Sequence, residues 1–385
     1  MDLPTAIQSG TPILEVRARY ESVSQFGLQD AEAASVRTRL GWQTAKWNDL
    51  VGLIEFEDVR QIGGGDYNDS IGNGAGFAVI ADPDVTELNR LQLTWTPTEW
   101  LTTVFGRQRI NLDDQRFIGA VGWRQDEQTF DALRLDADFG RFDATYAYLG
   151  NVNRIAAEAR DWASASHVAN ASYTFSDPFK VQGFVYALDF DDDLAATTAE
   201  NSSNLTYGVR ASGSMWVDRF RLNYAAVYAT QSDYGHYNGD YELDFYAGEI
   251  SATLGPTTLR LDYESLEGDG VRGFQTPLAT LHAFQGWADA FLTTPANGIE
   301  DLNASVIVNP RWRLDHLFNI NLTARYHDFD FQRTGVDIGS EWNFSAGANI
   351  TRRLSWIVKY ADFDSENDAA VASRTKAWVG LEFRL

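Results

Sequence analysis

Cysteine is absent from the 385 residues, which excludes disulfide staples, thiolate metal sites and thiol nucleophiles. No run of eighteen apolar residues exists, so a membrane-spanning helix is excluded too. Histidine is scarce: His167, His236, His282, His316 and His327 are scattered without metal-ligand spacing, and neither a metal nor a cofactor is expected. Met1-Asp2-Leu3-Pro4 lacks the basic start and apolar core of a secretion signal, so such a signal is expected to have been removed. No linker, helical stretch or shift of composition interrupts the chain, which argues for one domain. Positive charge is in short supply, with 31 Lys and Arg against 54 Asp and Glu and a net charge of -23. Nucleic acid is therefore not an expected partner.

What fills the chain is alternation. From residue 11 to Leu385, stretches of ten to fifteen residues alternate apolar and polar side chains; Ile320, Leu322, Ala324 and Tyr326, for example, interleave with Asn321, Thr323, Arg325 and His327. A period of two sends one set to lipid and the other to a polar interior. The mean hydropathy of -0.30 fits strands that cross a bilayer in this way. Aromatic residues reach 13%, with 12 Trp, 16 Tyr and 23 Phe, as expected where rings gather at two membrane interfaces.

The expected fold is all-β: a transmembrane antiparallel up-and-down β-barrel of about eighteen strands. The strands are placed near 11–23, 32–44, 47–62, 86–97, 100–112, 128–140, 141–155, 164–177, 179–191, 203–217, 218–233, 241–255, 256–267, 300–310, 317–332, 336–351, 353–365 and 374–385. Tight turns follow the even-numbered strands, Pro310 to His316 being the longer case, whereas long segments at 63–85, 112–127, 191–202, 268–299 and 365–373 follow odd-numbered ones. Short turns of such barrels face the periplasm, so both termini are expected there, with residues 1–10 a periplasmic segment and 11–385 the barrel. The last strand alternates to the final residue, as it would if it closed against the first.

Assigning the apolar phase to lipid leaves an arginine-dense interior: Arg17, Arg19, Arg37, Arg39, Arg90, Arg107, Arg109, Arg134, Arg210, Arg221, Arg260, Arg325 and Lys359, with Glu15, Glu21, Glu55, Glu57, Asp136, Asp143, Asp262 and Glu341 among them. Arg107 and Arg109 share their phase with Phe105; they are placed inside because arginine in lipid costs more than phenylalanine in a lumen. A ladder of guanidinium groups can hold carboxylates by planar bidentate hydrogen bonds and release them stepwise along a pore. The plainer reading of the same residues is interior Arg and Glu that pair to fill the barrel. Acid clusters such as Asp189-Phe190-Asp191-Asp192-Asp193 and Asp362-Phe363-Asp364 read as solvated loops, with divalent-cation binding the minority option.

Three stretches resemble the alginate export family of outer-membrane barrels. They are Arg17-Ala18-Arg19-Tyr20-Glu21 with Arg37-Thr38-Arg39-Leu40-Gly41; Gly106-Arg107-Gln108-Arg109-Ile110 through Asp113-Asp114-Gln115-Arg116-Phe117 to Gly122-Trp123-Arg124-Gln125; and Phe274-Gln275-Thr276-Pro277-Leu278 through His282, Phe284-Gln285-Gly286-Trp287-Ala288-Asp289 and Phe291. The resemblance implies an eighteen-stranded monomer with an arginine-lined, anion-selective conduit, and adds the loop residues Arg116 and Arg124 to the conduit candidates. The turn at Thr351-Arg352 is short where the alginate exporter has a long gating loop, which puts alginate itself in question. Apolar Phe284, Trp287 and Phe291 would be costly in water, so the 268–299 loop is expected to plug the barrel.

The expected function is passive, anion-selective transport of acidic sugars or oligo- and polysaccharides across the outer membrane of a Gram-negative bacterium. No enzymatic activity is expected; the partners are the anionic sugar solute, outer-membrane lipid and lipopolysaccharide. Two alternatives stay open: a porin for small carboxylates, and a membrane-embedded enzyme or binding barrel without an open pore.

Overall fold

Polar groups cannot find water in a bilayer, so strands that cross one must pair on both edges. The chain meets this demand by closing a single antiparallel sheet on itself. The structure, a computed structural model, describes residues 2–191, 199–237, 239–311, 314 and 316–385. Asp192 and Asp193 of the acidic loop, and Trp312, Arg313 and Asp315 of the 310–316 turn, lie outside the described residues.

The wall is built from β1 (Thr11–Gln25), β2 (Ala31–Gln43), β3 (Leu50–Gly64), β4 (Val85–Thr98), β5 (Leu101–Gln108), β6 (Thr129–Asp138), β7 (Phe142–Asn153), β8 (Trp162–Ser176) and β9 (Phe179–Leu188). It continues with β10 (Phe190–Asp191), β11 (Asn204–Val217), β12 (Phe220–Ser232), β13 (Glu242–Leu254), β14 (Thr257–Leu266) and β15 (Ile299–Val308). The circuit is completed by β16 (Phe318–Phe331), β17 (Val336–Asn349), β18 (Leu354–Ser365) and β19 (Arg374–Arg384). β10 extends β9 beyond an interruption at Asp189, both pairing with β8, so the barrel has eighteen strands, as the alternation implied. β1 closes against β19 in a register running from Glu15 opposite Arg384 to Gln25 opposite Arg374.

The outward register is apolar. Leu40, Phe56, Leu93, Phe105, Val185, Val209, Ile250, Leu261 and Leu381 are all exposed on the wall. Rings gather beside the tight turns, where Trp100 stacks on Phe139 at 5.1 Å and Tyr173 meets Phe175 at 4.7 Å, the position of an interfacial girdle. Both termini emerge at this short-turn end. Residues 1–10, expected only as a segment, contain a short helix, α1 (Leu3–Gln8), because Asp2 accepts the Thr5 amide at 2.9 Å and Pro4 suits the first turn. Ala6 is wholly buried, and the Trp42 indole donates to the Ile7 carbonyl at 2.9 Å.

β5 is shorter than the expected 100–112. Leu91 opposite Arg107 is the last pair on its β4 side, leaving residues 85–90 of β4 paired with β3 alone. Beyond Gln108 the chain leaves the wall and turns inward. Gly106 prepares this exit with a φ of 108°, and a Cβ there would lie 2.2 Å from the Leu91 carbonyl oxygen. Gly106→Ala is therefore expected to destabilise the barrel by about 1–3 kcal/mol, read as a lower temperature for loss of the folded band in gel heat-modifiability assays. Gly183→Ala, where nothing lies within 4 Å of the added carbon, is expected to leave that temperature unchanged.

Candidate functional site

The inward register of β1 to β4 is the arginine-rich face expected from the sequence, and nearly every guanidinium on it meets an acid. Arg37 pairs with Glu15, and Arg39 with Glu57 and, at 3.0 Å, Glu127. Arg90 grips Glu55 through two bonds of 2.9 and 2.6 Å, and Arg109 bridges Glu127 and Glu55. Arg19 pairs with Asp82, while Arg17 donates to the Gln125 side chain at 2.8 Å, the Gly122 carbonyl at 3.0 Å and the Arg124 carbonyl. Arg134 is held by Asp136 at 2.8 Å. In this sector the plainer reading, charge pairs that fill the barrel, describes the geometry. Each pair is costly to break on one side only, because a buried charge is left alone.

Arg107 differs from the expectation of a lumenal residue. It sits opposite Leu91 and Asp131, in the register of Phe105, Leu93 and Leu133, all exposed on the outer wall. It takes Asp131 through two bonds of 2.8 and 3.0 Å and donates at 3.1 Å to the Leu88 carbonyl, on the part of β4 that β5 no longer covers. The placement is affordable because Arg107 lies near the long-loop end of the strand, where a long side chain can reach a polar partner. Phe105 was thus the better guide to its face, whereas Arg109, past the strand's end, escapes the alternation and points inward.

Arg116 and Arg124 stand on the 109–128 segment, which lies inside the barrel against the 267–298 loop. The two are joined by Gly119 N to the Leu278 carbonyl at 2.8 Å, Thr280 N to the Gln115 carbonyl at 3.0 Å, and the Gln128 side chain to the Leu278 carbonyl at 3.2 Å. The expected plug residues are all seated: Phe291 packs on Phe329 and Phe363, Phe284 lies under the Arg116 guanidinium at 4.8 Å, and the Trp287 amide donates to Asn343. Gly286, at φ 83°, lets the loop approach Glu341, whose Oε1 accepts the Ala288 amide at 2.8 Å.

Asp289 is the clasp of this plug. It accepts from His282 at 2.8 Å, Lys376 at 2.7 Å and Arg124 at 3.0 Å, tying the loop to β19 and to the other inward segment. Burial alone would raise its pKa, but Lys376, His282 and Arg124 hold the carboxyl well below the usual range. Burial, with Lys359 beside it, pushes His282 down to about 3. A neutral His282 then donates from Nδ1 to Asp289 and turns Nε2 to the Lys359 Nζ, 2.6 Å away. Trp123 stacks on His282 at 4.7 Å and 3°, with Lys359 over both Trp123 and Trp287. Sequence reasoning gave neither Asp289 nor His282 a role, although both stand in the third family-like stretch. Glu127 and Asp82 were missed entirely, because their partners are remote in sequence.

A lumenal chamber lies between the plug and the far wall. Arg210 of β11, Arg260 of β14 and Arg325 of β16 line a cavity of about 70 Å³ with Asp114, Glu249 and Asp262, and Phe284 and Gln285 form its plug side. Arg260 meets Asp262 at 2.7 Å and Glu249 at 3.0 Å, and Arg210 meets Asp114. Arg325 alone of the three has no carboxylate at ion-pair distance among the described residues, and its Nε is buried without an acceptor.

The family described as alginate export matches residues 13–382. Three solved structures share the fold: OpdK of Pseudomonas aeruginosa with vanillate (12% identity, TM-score 0.75, covering 98% of this chain and 99% of that one), a BenF-like porin of Pseudomonas fluorescens (12%, 0.75, 99% and 100%), and OccK9 (OpdG) of Pseudomonas aeruginosa (14%, 0.74, 99% and 100%). No curated protein matches the sequence.

The lowered His282 pKa has a signed consequence. Between its ordinary value of 6.5 and about 3 the unfolded chain binds a proton that the folded one refuses, so stability falls as pH drops through that window. His282→Gln is expected to flatten the dependence of the barrel's thermal midpoint on pH between 6.5 and 4; an unchanged slope would mean that other groups carry it.

Proposed function

The chain belongs to the alginate export family, and we propose that it is a passive, anion-selective channel of the Gram-negative outer membrane for small carboxylate-bearing solutes, acidic sugars among them. The single observation that carries the reading is Arg325, a lumenal guanidinium with no carboxylate at ion-pair distance among the described residues, in a chamber it shares with Arg210 and Arg260, both held by acids. A passing carboxylate would supply the missing partner and be handed between neighbouring guanidinium groups, binding weakly enough at each to leave. The fixed pairs of β1 to β4 serve a different end: they cross-link that side of the lumen.

Size favours small solutes over polymer. Room of about 70 Å³ admits a few water molecules, so side chains must yield even for a single sugar ring. A polysaccharide would require the 267–298 plug to leave. Vanillate, in the OpdK structure, is a small carboxylate and supports the same choice. In this reading the short-turn end and both termini face the periplasm, the outer aromatic girdles meet lipid and lipopolysaccharide, the barrel acts as a monomer, and transport proceeds without covalent chemistry.

Reversal potentials in a salt gradient across a planar bilayer test the proposal. Wild-type protein is expected to prefer anions, with monomeric uronate or small aromatic carboxylates reducing the current more than long uronate oligomers. Arg325→Ala is expected to lower the anion-to-cation permeability ratio several-fold, whereas Arg107→Ala should leave it unchanged while lowering thermal stability. Cation preference in the wild type, or equal effects of the two substitutions on selectivity, would refute it.

Asp289→Asn weakens the clasp, and its expected signature is larger and noisier single-channel current as the plug loosens. Conductance identical to wild type would show that the loop is held by its apolar packing alone.

A further inference from the structure

At the long-loop end of the lumen, where β5 stops, Glu57 of β3, Glu87 of β4 and Asp126 of the inward 109–128 segment bring one carboxylate oxygen each to within 4.8 Å of one another. The arginines of this sector are already engaged: Arg39 with Glu57 and Glu127, Arg109 with Glu127 and Glu55, Arg90 with Glu55. Arg37, 3.8 Å from Glu57, is taken by Glu15, and Arg107 turns outward to Asp131. Neither Glu87 nor Asp126 has a basic partner at ion-pair distance among the described residues.

Asp126 has no exposed surface at all. Its Oδ2 accepts the Ala157 amide at 3.3 Å, but its Oδ1 and Oε1 of Glu87 are buried with no donor except a proton the two carboxyls share between them. A buried carboxylate oxygen lacking any donor is expensive, and two beside a third acid are more so. Burial, reinforced by Glu87 and Glu57, drives the Asp126 carboxyl well above its ordinary range. Arg39 and Arg37 compensate Glu57, but among the described residues no cation reaches Glu87 or Asp126 at ion-pair distance.

We propose that Glu57, Glu87 and Asp126 bind a divalent metal cation, calcium by preference, that pins the 109–128 segment to the barrel wall. An all-oxygen set of carboxylates is the donor chemistry of a hard cation rather than of zinc or copper. Calcium–oxygen distances of about 2.3–2.6 Å allow ligand oxygens up to roughly 4.6–5.2 Å apart, and the three oxygens here, all within 4.8 Å of one another, fall inside that limit. Calcium also accepts irregular geometry and water in its remaining positions, whereas magnesium demands a near-ideal octahedron. The ion would join two adjacent strands to the inward segment just where β4 loses its β5 neighbour, which is where the wall most needs a tie. The inference is independent of which solute the channel carries.

Isothermal titration of calcium into the chelator-stripped, detergent-solubilised barrel tests this, with thermal midpoints measured with and without the ion. Wild-type protein is expected to bind one calcium in this class and to melt higher with it. Asp126→Asn and Glu87→Gln are each expected to weaken that binding at least ten-fold and to abolish the thermal shift, any calcium taken by the outer acidic loops remaining in both. Glu87 is only half-buried, so its variant preserves the test if Asp126→Asn fails to fold. No thermal shift in the wild type, or binding unchanged in Glu87→Gln, would overturn the proposal. So would a wild-type midpoint that rises as pH falls from 7 to 5 regardless of calcium, since Glu87 and Asp126 would then be sharing a proton instead.

Discussion

Hydrocarbon offers a strand no hydrogen bonds, and the closure of β1 on β19 is the response on which the rest of this structure depends. Once the sheet has no free edge, its two faces are fixed. Every residue in register with Tyr20 or Leu381 must suit lipid, and every one in register with Arg17 or Arg19 must be satisfied inside. The arginine-dense interior is then a problem of charge. Thirteen basic candidates drawn from alternation alone cannot all be free in a narrow bore.

The barrel resolves this by division. On the β1 to β4 side, Glu15, Glu55 and Glu57 of the wall, with Asp82 and Glu127 of the loops, hold Arg19, Arg37, Arg39, Arg90 and Arg109 as fixed pairs. On the β11 to β16 side, compensation stops short at Arg325, and a small chamber survives beside it. The two sides are linked through the plug, because the segment that carries Glu127 also carries Arg124, which reaches Asp289 of the 267–298 loop. The same segment that quenches arginines in one half of the lumen therefore also positions the plug over the other. Asp289, placed among His282, Lys376 and Arg124, is held by opposite charge and geometry, while Phe291, Trp287 and Phe284 supply the apolar burial that keeps the loop out of water.

Arg107 illustrates how a local irregularity overrules a sensible energetic argument. Lumenal placement was favoured because arginine in lipid is costly, yet that cost falls near the interface and vanishes when a carboxylate and a bare backbone carbonyl are within reach. Asp131 and Leu88 provide both. The carbonyl is bare only because β5 ends early, and β5 ends early where Gly106 turns the chain inward. The sequence contained the warning in Phe105, two residues away on the same face.

Alternation by itself determined the eighteen strands, their boundaries to within a few residues, the lipid-facing set and most of the lumenal one, because a period of two is a local property that any reader of the chain can count. The apolar 284–291 stretch likewise announced that the long loop would seek cover. Which arginines are quenched, that Arg325 is left without an acid, that Asp289 is a clasp, and that Glu57, Glu87 and Asp126 converge were decided only by the tertiary structure. Those facts depend on partners dozens to more than a hundred residues apart, brought together by loops that re-enter the barrel, and a loop has no periodicity to reveal where its side chains will land.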